Sequence, residues 1–279
     1  EEHRLVARWA RHQLNANPDK KLAIVVTDLA ARKRALTRAL REEIEPHYVT
    51  QFNESASELI NISLGDPLNA VPLIATALRL LQALCQPKIH AKQWSSLLLS
   101  PYLAGAHESA QRAQFDAYWR DQGLSSIRES TFLQLLTEGA PANALCPHTA
   151  EQWRTAFQQL AKIKRQKYSL VEWMVSIKHL LSMFGWRSRQ LSSVEYQSRE
   201  AFYAVMESVA CQRWPEHPVR FAQAVQELLR ATQLQVFQPQ QSGHARVHVM
   251  GVLEAAGLEA DAIWLMDARD DAMPSPLKP

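Results

Sequence analysis

Residues 22–27 read Leu-Ala-Ile-Val-Val-Thr, and this continuous apolar, β-branched run limits the fold more than any other segment. A run without polar alternation is the pattern of a strand buried on both faces of a parallel sheet. Asp28 follows at once as a helix N-cap, and the spacing predicts a helix to about Ile44, before Pro46. On that helix Leu29, Leu36, Leu40 and Ile44 share one face, while Arg34, Arg38 and Arg41 share the opposite one. A strand feeding a helix opens an α/β unit. Strand signals return only at the far end, over 247–252 and 262–266, with a turn at Gly257 between them.

Between these ends the texture is helical. Helix-period apolar spacing runs over 68–84, 94–99, 108–121, 130–136, 150–165, 170–184, 196–211 and 220–234, divided by Pro, Gly or Ser-rich breaks. A further helix is expected over 3–15, ended by Pro18. Only eight glycines occur in 279 residues, well under the usual share of about 7%, so tight turns and phosphate-cradling loops are scarce. The expected fold is α/β in a mostly helical chain. Residues 1–65 and 238–279 would build one parallel-sheet domain from both ends, and 66–237 an all-helical inserted subdomain.

Several kinds of chemistry have no residues to carry them. There is no GxxxxGK[ST] phosphate loop, no GxGxxG and no GxSxG. Cys85, Cys146 and Cys211 are far apart, odd in number and without a CxxC pair, so neither a disulfide framework nor a zinc site is expected, and a reducing cytoplasm is the expected setting. His244 and His248 read as a solvated pair. Asp267, Asp270 and Asp271 could hold a hard cation, but a solvated turn is the expectation. No cofactor and no metal is expected. The longest apolar stretch, 73–85, contains Arg79 and is too short for a bilayer, so no membrane association is expected. The chain lacks an initiator Met and is expected to be a piece of a longer protein.

The net charge is +3 with a pI near 8.8, too mild to argue nucleic-acid binding alone. Local clusters argue more. Arg32, Lys33, Arg34, Arg38 and Arg41 line one helix; Lys162, Lys164, Arg165 and Lys167 adjoin Tyr168; Arg187 and Arg189 flank Trp186. Each could meet phosphate, but taken alone each is expected to be a solvated helix face. Trp9, Trp94, Trp119, Trp153, Trp173 and Trp214 sit at helical spacing and are expected in the core.

Residues 247–274, Val-His-Val-Met-Gly-Val-Leu-Glu-Ala-Ala-Gly-Leu-Glu-Ala-Asp-Ala-Ile-Trp-Leu-Met-Asp-Ala-Arg-Asp-Asp-Ala-Met-Pro, resemble motif V of UvrD/RecB-type superfamily-1 helicases. In that family a strand, a Thr-x-His turn, a Lys-Gly-Leu-Glu-Phe-Asp step and a second strand follow one another before a Phe-Pro. Met250 stands at the family's Met, Gly257, Leu258 and Glu259 at its Gly-Leu-Glu, Asp261 at its Asp, and Met273-Pro274 at its Phe-Pro. The departures are Gly251 for Thr, Leu253 for His and Ala256 for Lys. The family uses those polar groups to link nucleotide and DNA. Glu259, near the nucleotide ribose in active relatives, is expected here to be a turn and sheet-packing residue.

The pattern looks like AddB-like repair proteins, in which a helicase fold persists as scaffold; residues 61–68 and 95–102 also suit that group. The resemblance implies a second RecA-like domain of P-loop NTPase type. It also implies a non-catalytic, DNA-binding scaffold role in a DNA repair or recombination helicase–nuclease. Expected partners are DNA, as a single strand or duplex end, and a helicase subunit or nuclease domain. The candidate DNA contacts are Arg32, Arg34, Arg38 and Arg41. Two other readings stand beside it: half of an ATP-dependent helicase motor completed by an upstream domain, and a helical protein–protein scaffold.

Overall fold

The computed structural model describes residues 1–46, 59–123, 125–186, 190–212, 217–240 and 245–268. The chain divides into two compact units, one formed by Glu1–Asp66 with Gln238–Pro279 and the other by Pro67–Phe237.

In the first unit, α1 (Glu2–Ala16) precedes β1 (Leu22–Val26), α2 (Leu29–Ile44), β2 (Ile60–Ile62), β3 (Val247–Gly251) and β4 (Ala262–Met266). The four strands form one sheet in the order β4-β1-β3-β2. Every neighbouring pair is parallel. The segments at 22–27, 247–252 and 262–266 therefore share a sheet, as their apolar patterns predict. All five residues of β1 are buried, which suits a central strand with neighbours on both sides. Asp28 caps α2 as expected, its carboxylate accepting the Ala31 N–H at 3.1 Å.

The two faces of this sheet differ. Leu22, Ile24 and Val26, with Val247, Val249 and Met266, pack against Val6, Ala7 and Ala10 of α1 and Leu29, Leu36 and Leu40 of α2. Trp9 lies 5.4 Å from Trp264 on the same side, half-buried rather than fully in the core. On the other face Ala23, Val25 and Met250 are buried, but Ile263 and Leu265 are 61% and 45% exposed. The apolar run over 262–266 marks a strand without saying how many of its faces are covered. β4 is an edge strand covered on one face only.

The second unit holds α3 (Pro72–Leu84), α4 (Ala91–Leu98), α5 (Ser109–Asp121), α6 (Glu129–Thr137), α7 (Pro147–Ile163), α8 (Leu170–Met183), α9 (Ser193–Ala210) and α10 (Phe221–Leu234). Its centre is aromatic. Trp94 stacks on Phe132 at 3.8 Å, and Phe132 in turn meets Phe115, Trp119 and Trp153. Trp94, Trp119, Trp153 and Trp173 are all buried, as their spacing predicts; Trp214 lies outside the described residues.

This unit is not all-helical. Ile89–His90 pairs antiparallel with Ser126–Ile127, and Lys167–Tyr168 with Val219–Arg220. Each ladder joins the extended entry segments of two helices, α4 with α6 and α8 with α10. Two residues are too few to show alternation, so the sequence carries no strand signal there. Ser169 and Ser192 form capping boxes with Glu172 and Glu195, fixing where α8 and α9 begin.

Candidate nucleic-acid interface

Because the strands are parallel and Val26 pairs with both Gly251 and Met266, the segments after β1, β3 and β4 leave from one edge of the sheet. Ser63, after β2, joins them through its N–H bond to Val249 O at 2.9 Å. In an open parallel sheet this carboxyl edge is where ligands are usually held.

Two polar clusters occupy it. In the first, the Glu254 carboxylate accepts the Gly251 N–H at 3.1 Å and a short bond from the Ser63 hydroxyl. Those bonds, the Ser63 hydroxyl first, hold the Glu254 carboxyl below its ordinary range. They bracket the start of the connection after β3 against β2. In the second cluster, Asp267 is buried and adopts φ 61°, the left-handed region that non-glycine residues rarely enter. Its carboxylate meets the Arg32 guanidinium at 3.4 Å, its N–H donates to Glu2 Oε1 at 3.1 Å, and its carbonyl accepts the Thr27 hydroxyl at 3.1 Å. Beside it His3 is held below its ordinary pKa by burial, then by the nearby Arg32 cation.

Asp267 is thus a structural anchor, and the solvated turn expected for it is corrected. Its partner Arg32 lies 235 positions away in sequence, out of reach of any local reading. Asp270, Asp271 and Met273-Pro274 lie outside the described residues, as do His244, Arg187 and Arg189. Among the described residues no group of three or more His, Cys, Asp or Glu is placed to hold a metal ion. No helix among them is long and apolar enough to cross a membrane.

The motif V-like residues do not form one compact site. The connection over 252–261 leaves the carboxyl edge at Gly251 and returns to the opposite edge before β4 begins. It makes that return without a helix, although parallel crossovers usually take a dozen residues or more. Gly257 turns it at φ 85°. Leu253 is 91% exposed, and Ala256 and Leu258 are exposed with it. Asp261 ends it at the amino edge, where its carboxylate accepts the Lys21 N–H and its own N–H donates to Lys21 O, both at 2.8 Å.

Glu259 is exposed, so the sheet-packing role expected for it is corrected. With Lys21, Asn61, Arg246, His248 and Leu258 it lines an open groove of about 770 Å³ at the amino edge. His248 and Asn61 are register partners on β3 and β2 and form part of its floor. Arg246 is held there by Asp19 at 3.0 Å.

The basic residues of α2 divide by what they touch. Arg32 is committed to Asp267, and Lys33 to Asp66 and the Leu64 carbonyl, each at 2.7 Å. Arg38 is exposed and pairs with Glu42 one turn on, at 2.8 Å. Arg34 is exposed and Arg41 half-buried, and neither has an ion-pair partner among the described residues. In the helical unit, the Lys164 ammonium donates to Leu84 O at the end of α3, so that member of its basic run is engaged in structure.

Compared with protein-family models and with curated proteins, the chain matches none.

Proposed function

We propose that this chain is a non-catalytic, DNA-facing scaffold region of a DNA repair or recombination helicase–nuclease. In this reading the four-stranded unit corresponds to a second RecA-like domain, and the helical unit to its insertion. One observation carries the reading. At the positions where motif V offers polar groups, the connection after β3 presents the exposed side chains Leu253 and Ala256, and Gly251 offers only backbone. No side chain at those three positions can offer a hydrogen bond or a positive charge to a nucleotide. The neighbouring Glu254, engaged by Ser63 and Gly251, gives the connection a fixed shape without that chemistry.

DNA contact is assigned to the α2 stripe, with Arg34 and Arg41 as its uncommitted members and Arg38 shared with Glu42. Arg32 drops to a supporting role through Asp267. Phosphate binding by such a stripe releases counterions, so affinity falls with the logarithm of salt. The test is fluorescence anisotropy with labelled single-stranded DNA at two salt concentrations. Arg34→Glu/Arg38→Glu/Arg41→Glu is expected to lower affinity at low salt well beyond Lys162→Glu/Arg165→Glu/Lys167→Glu, which spares the structural Lys164. Equal losses would reduce the effect to net charge, and no loss from the first would return the stripe to a solvated face. Calorimetry with Mg-ATP is expected to show no saturable micromolar binding.

A further inference from the structure

In the helical unit, a buried carboxylate ties together the backbone segments that carry two exposed histidines. Glu108 ends the turn Ala106–Glu108 and is 7% exposed. Its carboxylate accepts the backbone N–H of His148 at 3.0 Å, that of Thr149 at 2.8 Å, and the Thr149 hydroxyl at 2.7 Å. It therefore caps the first turn of α7 from a separate segment. Gly105, at φ 87°, seats the turn so closely that an added Cβ would stand 2.0 Å from Thr149 Oγ1. The backbones carrying His107 and His148 are thus tied together with little room to drift.

The two rings lie close and steeply inclined to one another, at 4.5 Å between centres and 63° between planes. Both residues are exposed, and neither ring has a hydrogen-bond partner among the described residues. Their spacing has a chemical meaning. A metal–nitrogen bond is about 2.0–2.1 Å, and the ring centre lies roughly 1.2 Å behind the nitrogen, so two imidazoles at right angles around one ion have centres about 4.5 Å apart. Tetrahedral ligation would spread them to roughly 5.2 Å by the same geometry. The observed spacing fits adjacent corners of a square-planar or octahedral ion, the preference of Cu²⁺ and Ni²⁺.

We infer that His107 and His148 form a two-histidine site for a divalent transition ion of the copper or nickel class, with water completing its coordination. The charge balance supports this. A cation at a helix amino end would ordinarily meet the positive end of the helix dipole. Here the Glu108 carboxylate, bonded to the His148 and Thr149 N–H groups, offsets the charge of that helix end. Cys146, the nearest thiol in sequence, adds no ligand. It is buried, donates to Ala144 O, and is pushed up to about 12 by burial and then by Glu108.

The test is a titration of the whole chain with CuCl₂ at neutral pH, read by calorimetry and by electron paramagnetic resonance. One ion per chain bound at the pair, with a two-nitrogen imidazole spectrum, is the expected result. His107→Ala and His148→Ala should each weaken that binding about tenfold or more, each decade being about 1.4 kcal/mol. His248→Ala and His90→Ala should leave it unchanged. His148→Gln serves as a second variant, since it keeps a polar side chain at the helix start. A one-nitrogen spectrum, or binding that survives loss of either His107 or His148, would overturn the site.

Discussion

The two units place their polar contacts differently. In the helical unit several buried side chains donate to backbone carbonyls: Trp173 Nε1 to Val219 O, Trp186 Nε1 to Leu73 O, and Arg112 to Ser100 O and Ala104 O. Its aromatic centre is fully buried. In the sheet unit the polar contacts gather at strand ends instead, at Glu254, Asp267 and Asp261. Its core is one-sided, with α1 and α2 on one face and the β4 edge of the other face exposed. The comparison separates a region shaped for support from one whose surfaces remain open to contact.

The largest effect expected is in the closed core. Trp153 is fully buried among Trp94, Phe132 and Phe184. Trp153→Ala should cost about 3–5 kcal/mol through lost transfer energy and the cavity left behind. Ile24→Ala, in the centre of the sheet unit and equally buried, should cost about 2–5 kcal/mol. Denaturant titrations followed by near-ultraviolet circular dichroism check both. If Ile24→Ala were silent while Trp153→Ala was severe, the sheet unit would have no independent core and the comparison would fail.

A smaller effect is expected at Gly257. Nothing lies within 4 Å of a Cβ built there, so space is not the issue. Its φ is 85°, and a side chain in that left-handed region costs roughly 1–2 kcal/mol. Gly257→Ala should therefore destabilise by about that amount, while Gly257→Asn, a residue that tolerates this region, should cost less. An equal cost for both would point to a contact made by the glycine itself.

The bracket at Glu254 gives a pH-dependent test. Its carboxyl is held below the ordinary range by the Ser63 hydroxyl and then by the Gly251 N–H. A depressed carboxyl contributes its support above the unfolded value and loses it as pH falls through the folded value. Protection of the Gly251 amide against hydrogen exchange, taken relative to its intrinsic rate at each pH, should thus be present at neutral pH and fall on acidification. Glu254→Gln should remove the pH dependence.

What could be read from the sequence follows what is local. The unbroken apolar run of β1, Asp28 as its following cap, and the helical spacing of Trp94, Trp119 and Trp153 all depend on neighbours within a few residues. The Arg32–Asp267 pair, the Glu254–Ser63 bond and the Glu108 cap of α7 join residues far apart in the chain. No periodicity encodes them. Lys164 looked like one of a basic run because its acceptor, the Leu84 carbonyl, lies on another helix. The 262–266 run is a related case. Its apolar residues fit a buried strand, and only the strand order shows that β4 has a single neighbour.

That edge position yields the smallest effect and the closest comparison. Ile24 and Ile263 sit one register step apart on adjacent parallel strands, since Ala23 pairs with Ile263 and Ile24 with Trp264. Alternation sends them to opposite faces. Ile24 is fully covered by α1 and α2, whereas Ile263 is 61% exposed and Leu265 45%. A side chain that folding leaves in water contributes little transfer energy, so exposed substitutions usually stay within about 0.5 kcal/mol. Ile263→Thr and Leu265→Thr keep strand propensity, through a β-branched side chain, while removing apolar surface. Each is expected to shift the denaturation midpoint barely at all, against the large shift from Ile24→Ala. A cost near that of Ile24 would mean that this face of β4 is covered in the folded chain after all. The sheet unit would then be two-sided, and its contrast with the helical unit would fail.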